Sequence, residues 1–394
     1  MKNSFFDNHD KSLCCGCTAC YSICPNKAIR MIPDGLGFLY PEIQQNICIN
    51  CNLCKDVCSF NKEYDTIDNV EPQFYAVRHK NPQELLQSRS GAAFVAISDL
   101  ILEKNGVVYG VGFKEHFKVC HKRAVTKEQR DEFRGSKYVQ SELGDVFSLV
   151  KQDLKDNLFV LFSGTGCQTA GLKSYLKKCN VNTTNLILVD IVCHGVPSPY
   201  FWRDYLDFIE KKYGKQVLKV NFRDKNFGWS DHRESFTFED TCTYTYTFTH
   251  TFYKHIMLRH SCGKCFFTNT KRPSDITLAD FWGWEKVDAE FNQDNHGVSL
   301  VIVNTIRGIE IFEEIKSQLN YIKTEREKCL QTHLREPSRM NPKRLLFEHD
   351  FIEKGFEYIL RKYCDYGRWN YIKHFPKKLI RKVLRLARSI IKKI

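Results

Sequence analysis

Eighteen cysteines are spread over 394 residues, and eight of them fall into two runs with one spacing. Cys14, Cys17 and Cys20 follow C-x2-C-x2-C, with Cys24 three residues further on and Pro25 behind it. Cys48, Cys51, Cys54 and Cys58 repeat that ruler. Three thiolates on one tight loop hold three irons of a cubane, while the fourth is carried off by the next turn and ligates the other cubane. The spacing therefore predicts two 4Fe-4S centres, one on Cys14, Cys17, Cys20 and Cys58 and one on Cys48, Cys51, Cys54 and Cys24. Cys15 is off register and reads as a free thiol. A disulfide framework suits small secreted chains, and no signal peptide is recognisable here. Structural zinc favours two C-x2-C pairs over a triple followed by a fourth.

Iron–sulfur centres move electrons singly, so the remaining chain must position them and supply an acceptor or donor. Residues 1–60 read as a bacterial-type two-cluster ferredoxin domain and residues 61–73, rich in Asp, Asn and Glu, as a linker. Residues 74–350 read as a larger domain, and 351–394 as a C-terminal helical segment. An apolar content of 42% is ordinary for a packed protein, and no run is long and apolar enough to span a bilayer. The cysteine content without a secretory signal predicts a cytoplasmic location. The formal charge of +13 overstates the loaded protein, because cluster-bound thiolates are counted as neutral.

Strands are expected at Phe74–Val77, Val107–Phe113, Leu158–Phe162, Leu186–Val192 and Val298–Thr305. The turn Ser88–Gly91 leads into a helix over Ala92–Lys104, and a second helix covers Gly308–Leu319. Between two strands lies Ser163-Gly164-Thr165-Gly166-Cys167-Gln168, followed by a helix from Thr169 to Lys178. Strand, glycine turn, helix is a layout that aims N–H groups at an anion. Strict alternation over 235–252, with Glu239-Asp240 between the arms, predicts a β-hairpin with a buried aromatic face.

Four further cysteines occupy turns. Cys167 is in the glycine turn, Cys193 ends a strand before His194-Gly195, and Cys262 and Cys265 form a C-x2-C pair. Such a pair gives two thiolates to one metal, and two strand ends could supply the others. Four separate cysteines is the competing reading. Cys120, Cys179, Cys242, Cys329 and Cys364 have no such setting.

Beyond residue 74 the chain resembles the beta-subunit family of coenzyme F420-reducing hydrogenases and dehydrogenases, bacterial branch. The resembling segments are Ser88–Gly91, Gly135–Ser141, Ser163–Gln168, Asp190–Ser198, Asn221–Lys225, the Cys262/Cys265 pair and Asp275–Trp282. The resemblance implies an FAD in the larger domain with a third 4Fe-4S centre beside it, on Cys167, Cys193, Cys262 and Cys265. It offers Ser90, Gly91, Ser136, Lys137, Thr165 and Gln168 as phosphate and ribityl contacts. Arg223, Asp224 and Lys225 read as a surface charge cluster or, alternatively, as substrate-orienting groups. His194 and Asp280 read as core hydrogen-bonding residues. Two positions depart from the family pattern: Gly166 stands where proline is usual, and Ala92 where glycine is usual, which crowds a phosphate approach. Ser59 replaces a proline that is not a ligand.

The expected fold class is α+β (mixed α/β): a two-cluster ferredoxin followed by a flavin-binding domain with a mixed sheet and flanking helices. The expected function is an FAD- and iron–sulfur-dependent oxidoreductase acting on an organic substrate. The alternative is an electron-relay subunit with no substrate of its own. Either needs a redox partner protein or soluble carrier. From Lys377 to Lys393 there are eight Lys or Arg and no acid, on a stripe of Leu, Ile and Val at helical spacing. That pattern fits a helix lying on anionic lipid at the inner face of the cell membrane, or one packed on protein, rather than a nucleic-acid reader.

Overall fold

The computed structural model describes residues 5–60, 64, 70–364 and 366. The expected linker is therefore largely outside the described residues, as is the basic segment Lys377–Ile394. Within 5–60 each cysteine run opens a short helix, at Ala19–Ile23 and Leu53–Asp56. The residues just before these helices, Thr18 and Asn52, hold corresponding places and both have left-handed φ, 64° and 60°. The repeat in sequence is thus a repeat in backbone. Between the helices runs an antiparallel pair, β1 (Ile29–Pro33) and β2 (Leu39–Ile43).

The remaining strands are β3 (Gln73–His79), β4 (Val107–Phe113), β5 (Val119–Ala124), β6 (Val160–Thr165), β7 (Leu186–Ile191), β8 (Lys219–Asn221), β9 (Glu234–Thr237), β10 (Cys242–Thr245), β11 (Ile276–Asp280), β12 (Ser299–Val303) and β13 (Leu319–Thr324). Eight form one mixed sheet in the order β13-β3-β12-β11-β7-β6-β4-β5. Its middle, β4, β6, β7 and β11, is parallel, and antiparallel strands flank it on both sides. β8, β9 and β10 make a separate three-stranded sheet. The fold is mixed α/β, as expected.

Period-2 alternation sorts the core. Val160 and Phe162 of β6 pack with Phe147, Leu172 and Tyr175 of the helices Val146–Lys155 and Gly166–Lys178. Leu161 between them packs with Ala96, Ile97 and Ile311 of the helices Ala93–Glu103 and Ile306–Ile315 on the other face. Each buried Val, Leu, Ile or Phe among these stabilises the fold by about 1.5–3 kcal/mol. Ala19, Val57 and Phe60 join the first cluster, so the cysteine-rich region docks on the helix Gly166–Lys178. Ser174 Oγ donates to Val57 O at 2.7 Å, and Gly171 leaves the space that Cys17 fills.

The structure alters several expectations. The helix after the glycine turn begins at Gly166 rather than Thr169, and Ser163–Thr165 complete β6. The predicted hairpin survives only as β9 and β10; Thr247–Tyr253 is a helix. Phe248 and Phe252, one turn apart, are buried on its inner side, whereas Tyr244 is exposed. The segment after Ile315 turns through Lys316–Gln318 into β13 instead of extending the helix to Leu319. The helix Arg344–Lys354 runs through the expected boundary at residue 350. Among the described residues, no helix is long and apolar enough to cross a membrane.

Candidate functional site

The parallel strands β6, β7 and β11 end on one side of the sheet, and ligands bind beyond such carboxyl ends in α/β folds. There a cavity of about 970 Å³ is lined by Thr165 at the end of β6, by Cys193 and His194 after β7, and by Asp280 at the end of β11. Ser90, Ser136, Lys137 and Gln168 also line it. Gly91 does not. A Cβ on Gly91 would lie 2.0 Å from Val77 O, and its N–H donates to Ser299 Oγ at 2.9 Å. Gly91 therefore closes the backbone of the turn against the sheet. Ala92 has a left-handed φ of 63°, a conformation that glycine adopts without strain. Its departure from the usual glycine is thus felt first in its own backbone.

Several of these side chains already have partners. Gln168 Oε1 accepts from Thr165 N–H at 3.0 Å and its Nε2 donates to Ser141 Oγ at 3.0 Å, tying the helix start to the Gly135–Ser141 segment. Ser90 Oγ donates to Val298 O at 2.5 Å. Lys137 Nζ donates to Glu132 O and to Arg134 O, and burial pulls its pKa down to about 7.

Arg223 and Asp224 are not a surface cluster: both are buried, Arg223 in an ion pair with Asp280. Lys225 Nζ donates to Leu85 O at 2.7 Å and Ser90 O at 3.0 Å, and burial lowers its pKa to about 7. Asp280 is shared with Arg89 at 4.0 Å and takes a hydrogen bond from Trp229 Nε1 at 3.3 Å. The two guanidinium groups hold its carboxyl below the usual range against the opposing effect of burial. Sequence reasoning passed over Arg89, Tyr138, Tyr253, Trp282 and His333, all in the cavity wall. Arg89, Tyr138 and Trp282 lay inside segments singled out for other reasons; nothing local marks the other two. Trp282 stacks on Trp229 with ring centres 4.5 Å apart.

The cavity is large enough to hold a ligand. Its volume lies in the range of ligand sites. Ser88 Oγ, Arg89 Nε and His333 Nδ1 are buried in its wall without hydrogen-bond partners, so polar groups there have capacity for a ligand.

Behind it a second, smaller cavity is lined by Cys167, Cys193, Cys262 and Cys265 together. The structure thus brings four dispersed cysteines to one place, an all-sulfur donor set of the kind iron–sulfur clusters use. Burial pushes Cys262 up to about 11 and Cys265 up to about 12. Cys167 is drawn down to about 7, chiefly because the Cys15 thiol donates to it. Cys15, off register in the first run, is in no disulfide. It is buried and lines this cavity as well as the next, beside Cys167 in one and Cys17 in the other.

That next cavity contains Cys14, Cys17, Cys20 and Cys58, and another contains Cys24, Cys48, Cys51 and Cys54. The fourth cysteine of each run crosses to the other set. Thr165, Gln168 and the Cys193–Val196 segment line both the large cavity and the dispersed-cysteine cavity. Cys15 and Phe60 line both the latter and its ferredoxin-side neighbour. Cys51, in the outermost set, is exposed.

Residues 159–328 match the family described as the C terminus of the beta subunit of coenzyme F420 hydrogenase/dehydrogenase. The chain resembles that beta-subunit family. Its match runs from the strand before the glycine turn through all four dispersed cysteines. An uncharacterised polyferredoxin-like protein of Methanocaldococcus jannaschii is 31% identical over 71 residues, which are 16% of this chain and 42% of that protein. The chain therefore spans less than half the length of that curated relative. A chain of the F420-reducing NiFe hydrogenase complex from Methanosarcina barkeri gives a TM-score of 0.44 at 16% identity, covering 66% of this chain and 82% of that one.

Proposed function

We propose that this protein is an iron–sulfur flavoprotein oxidoreductase, with FAD in the large cavity and three 4Fe-4S centres leading to it. The observation that carries the reading is contiguity: the large cavity, the dispersed-cysteine cavity and the inner ferredoxin-like set share wall residues in succession. Cys48, Cys51, Cys54 and Cys24 would hold the outer centre, where exposed Cys51 faces a redox partner. Cys14, Cys17, Cys20 and Cys58 would hold the inner one, and Cys167, Cys193, Cys262 and Cys265 the third. A flavin, when bound, supplies the exchange between single electrons and a hydride equivalent.

The chain's own groups orient the ligand and exclude water. The Arg89–Asp280–Arg223 cluster carries more positive than negative charge and fixes one side of the cavity. Trp282, backed by Trp229, offers a flat wall against which a ring can stack. The relay alternative, in which electrons pass straight to a partner enzyme, leaves a cavity of this size without an occupant. The basic segment Lys377–Ile394 is proposed to hold the protein reversibly on an anionic membrane surface.

Anaerobic purification followed by iron, sulfide and flavin analysis tests the reading. About twelve irons per chain, from four per cubane, together with released FAD are expected. Iron without any flavin, even after reconstitution, favours the relay reading.

A further inference from the structure

Five arginines in the described residues are buried: Arg130, Arg223, Arg259, Arg272 and Arg344. Four face a carboxylate, in Arg130–Asp99, Arg223–Asp280, Arg272–Asp190 and Arg344–Glu348. Arg259 is different. It has no measurable exposure, and its guanidinium donates to Cys14 O at 2.8 Å, Gln140 Oε1 at 2.8 Å and Leu39 O at 2.9 Å. It also reaches Cys14 Sγ at 3.5 Å, and its face lies over the rings of Tyr40 at 4.1 Å and Phe38 at 5.6 Å. None of these partners carries a carboxylate. A buried cation without a counter-charge is strongly unfavourable, so buried charges are paired or sit beside metal centres.

The groups around Arg259 identify the missing charge. Cys14 belongs to the inner ferredoxin-like set, and Cys262 belongs to the dispersed set whose cavity Arg259 also lines. A 4Fe-4S centre with four thiolate ligands is anionic in its usual oxidised state and gains another negative charge on reduction. We propose that Arg259 is the shared counter-charge of these two neighbouring centres, raising the reduction potential of both. Through Cys14 O and Leu39 O it also clamps the cysteine-rich region to the larger one. The inference rests on the reading that both thiol sets hold cubanes. It makes Arg259 a positioning residue for electron transfer, since a fixed charge beside a cluster is one of the levers that set its potential.

The test is a potentiometric titration of the anaerobically purified, full-length holoprotein followed by EPR, on wild type, Arg259→Gln, Arg259→Lys and Gln140→Glu. Arg259→Gln removes the charge. Gln140→Glu neutralises it by a carboxylate at a group already bonded to it. Each should shift two of three couples to lower potential by about tenfold in the reduction equilibrium, or about 59 mV for one electron. The couple of the Cys24, Cys48, Cys51 and Cys54 centre should stay put, and Arg259→Lys should remain near wild type. Should Arg259→Gln fail to assemble, Gln140→Glu carries the test alone. Unmoved potentials in the neutralising variants, a uniform shift of all three couples, or a shift in Arg259→Lys as large as in Arg259→Gln would each overturn the proposal. A wild type with only two couples and about eight irons refutes the three-centre reading itself, a separate result.

Discussion

Gly171 lies inside the helix Gly166–Lys178, where helix propensity alone predicts that Gly171→Ala stabilises the protein by about 1 kcal/mol. The structure predicts the reverse. A Cβ on Gly171 would fall 2.7 Å from Cys17 Sγ and 2.8 Å from Cys17 Cβ, distances that force something to shift. The obstacle is a short side chain close to its own backbone, so it cannot swing aside at low cost. Overpacking of this kind costs about 1–3 kcal/mol, which exceeds the propensity gain across most of its range. The expected net effect is a destabilisation of about 1 kcal/mol, concentrated where the cysteine-rich region meets the helix. Thermal unfolding of anaerobic holoprotein, read beside iron and flavin content, gives the answer. Gly171→Ala should melt lower and lose up to about four irons, while flavin content holds. A variant that melts higher with all its iron would refute the packing argument and restore the simple propensity expectation.

Glu234 is buried with no ion-pair partner among the described residues; it accepts from Phe248 N–H at 2.9 Å and Thr249 Oγ1 at 2.7 Å, and burial raises its pKa from 4.5 to about 7. Its folded pKa lies above the unfolded one, so the unfolded chain loses the proton first and stability falls between pH 4.5 and 7, by up to about 3 kcal/mol. Glu234→Gln should flatten that slope in denaturant titrations at stepped pH; an unchanged slope assigns it to other groups. Asp190 is fully buried and accepts from Arg272, Ser274 Oγ at 2.7 Å and Thr277 Oγ1 at 2.6 Å. Asp190→Ala strands a buried cation and should cost about 3–5 kcal/mol, measured by soluble yield and denaturant midpoint; a loss under about 1 kcal/mol would mean that water reaches Arg272. Full-length protein should co-sediment with anionic vesicles, less so in high salt or neutral lipid, and a chain ending at Phe375 should not. Equal sedimentation of the two forms returns the basic segment to a packing or partner role.

What could be read from the chain was whatever depends on short spacing. The duplicated cysteine ruler places corresponding left-handed residues, Thr18 and Asn52, before matching helices. The apolar runs at Val107–Phe113 and Leu186–Ile191 become parallel strands of the central sheet. The failures share a cause: distant residues decide. Thr247–Tyr253 alternates like a strand, yet the Glu234 carboxylate, on β9, accepts the Phe248 N–H at the helix start. Phe248 and Phe252 satisfy both the period of a strand and that of a helix, so the pattern alone is ambiguous. Arg223 reads as a surface charge until Asp280, 57 residues later, pairs with it. Gly91 looks like a ligand contact because glycine suits phosphate loops, but the close approach here is to Val77 of the neighbouring strand.

The central claim is that electrons reach the large cavity through the dispersed cysteines, and one measurement addresses it most directly. Flavin reduction is followed by stopped-flow absorbance after mixing oxidised protein anaerobically with a reduced ferredoxin. Wild type is compared with the double variant Cys262→Ser, Cys265→Ser. Those two thiols line the dispersed-cysteine cavity, which lies between the large cavity and the inner ferredoxin-like set. The double variant should keep its FAD and about eight irons, having lost about four. Its flavin should then be reduced at least a hundredfold more slowly than wild type, about 2.7 kcal/mol in barrier. Flavin reduction at the wild-type rate in a variant that has lost those irons would contradict the account.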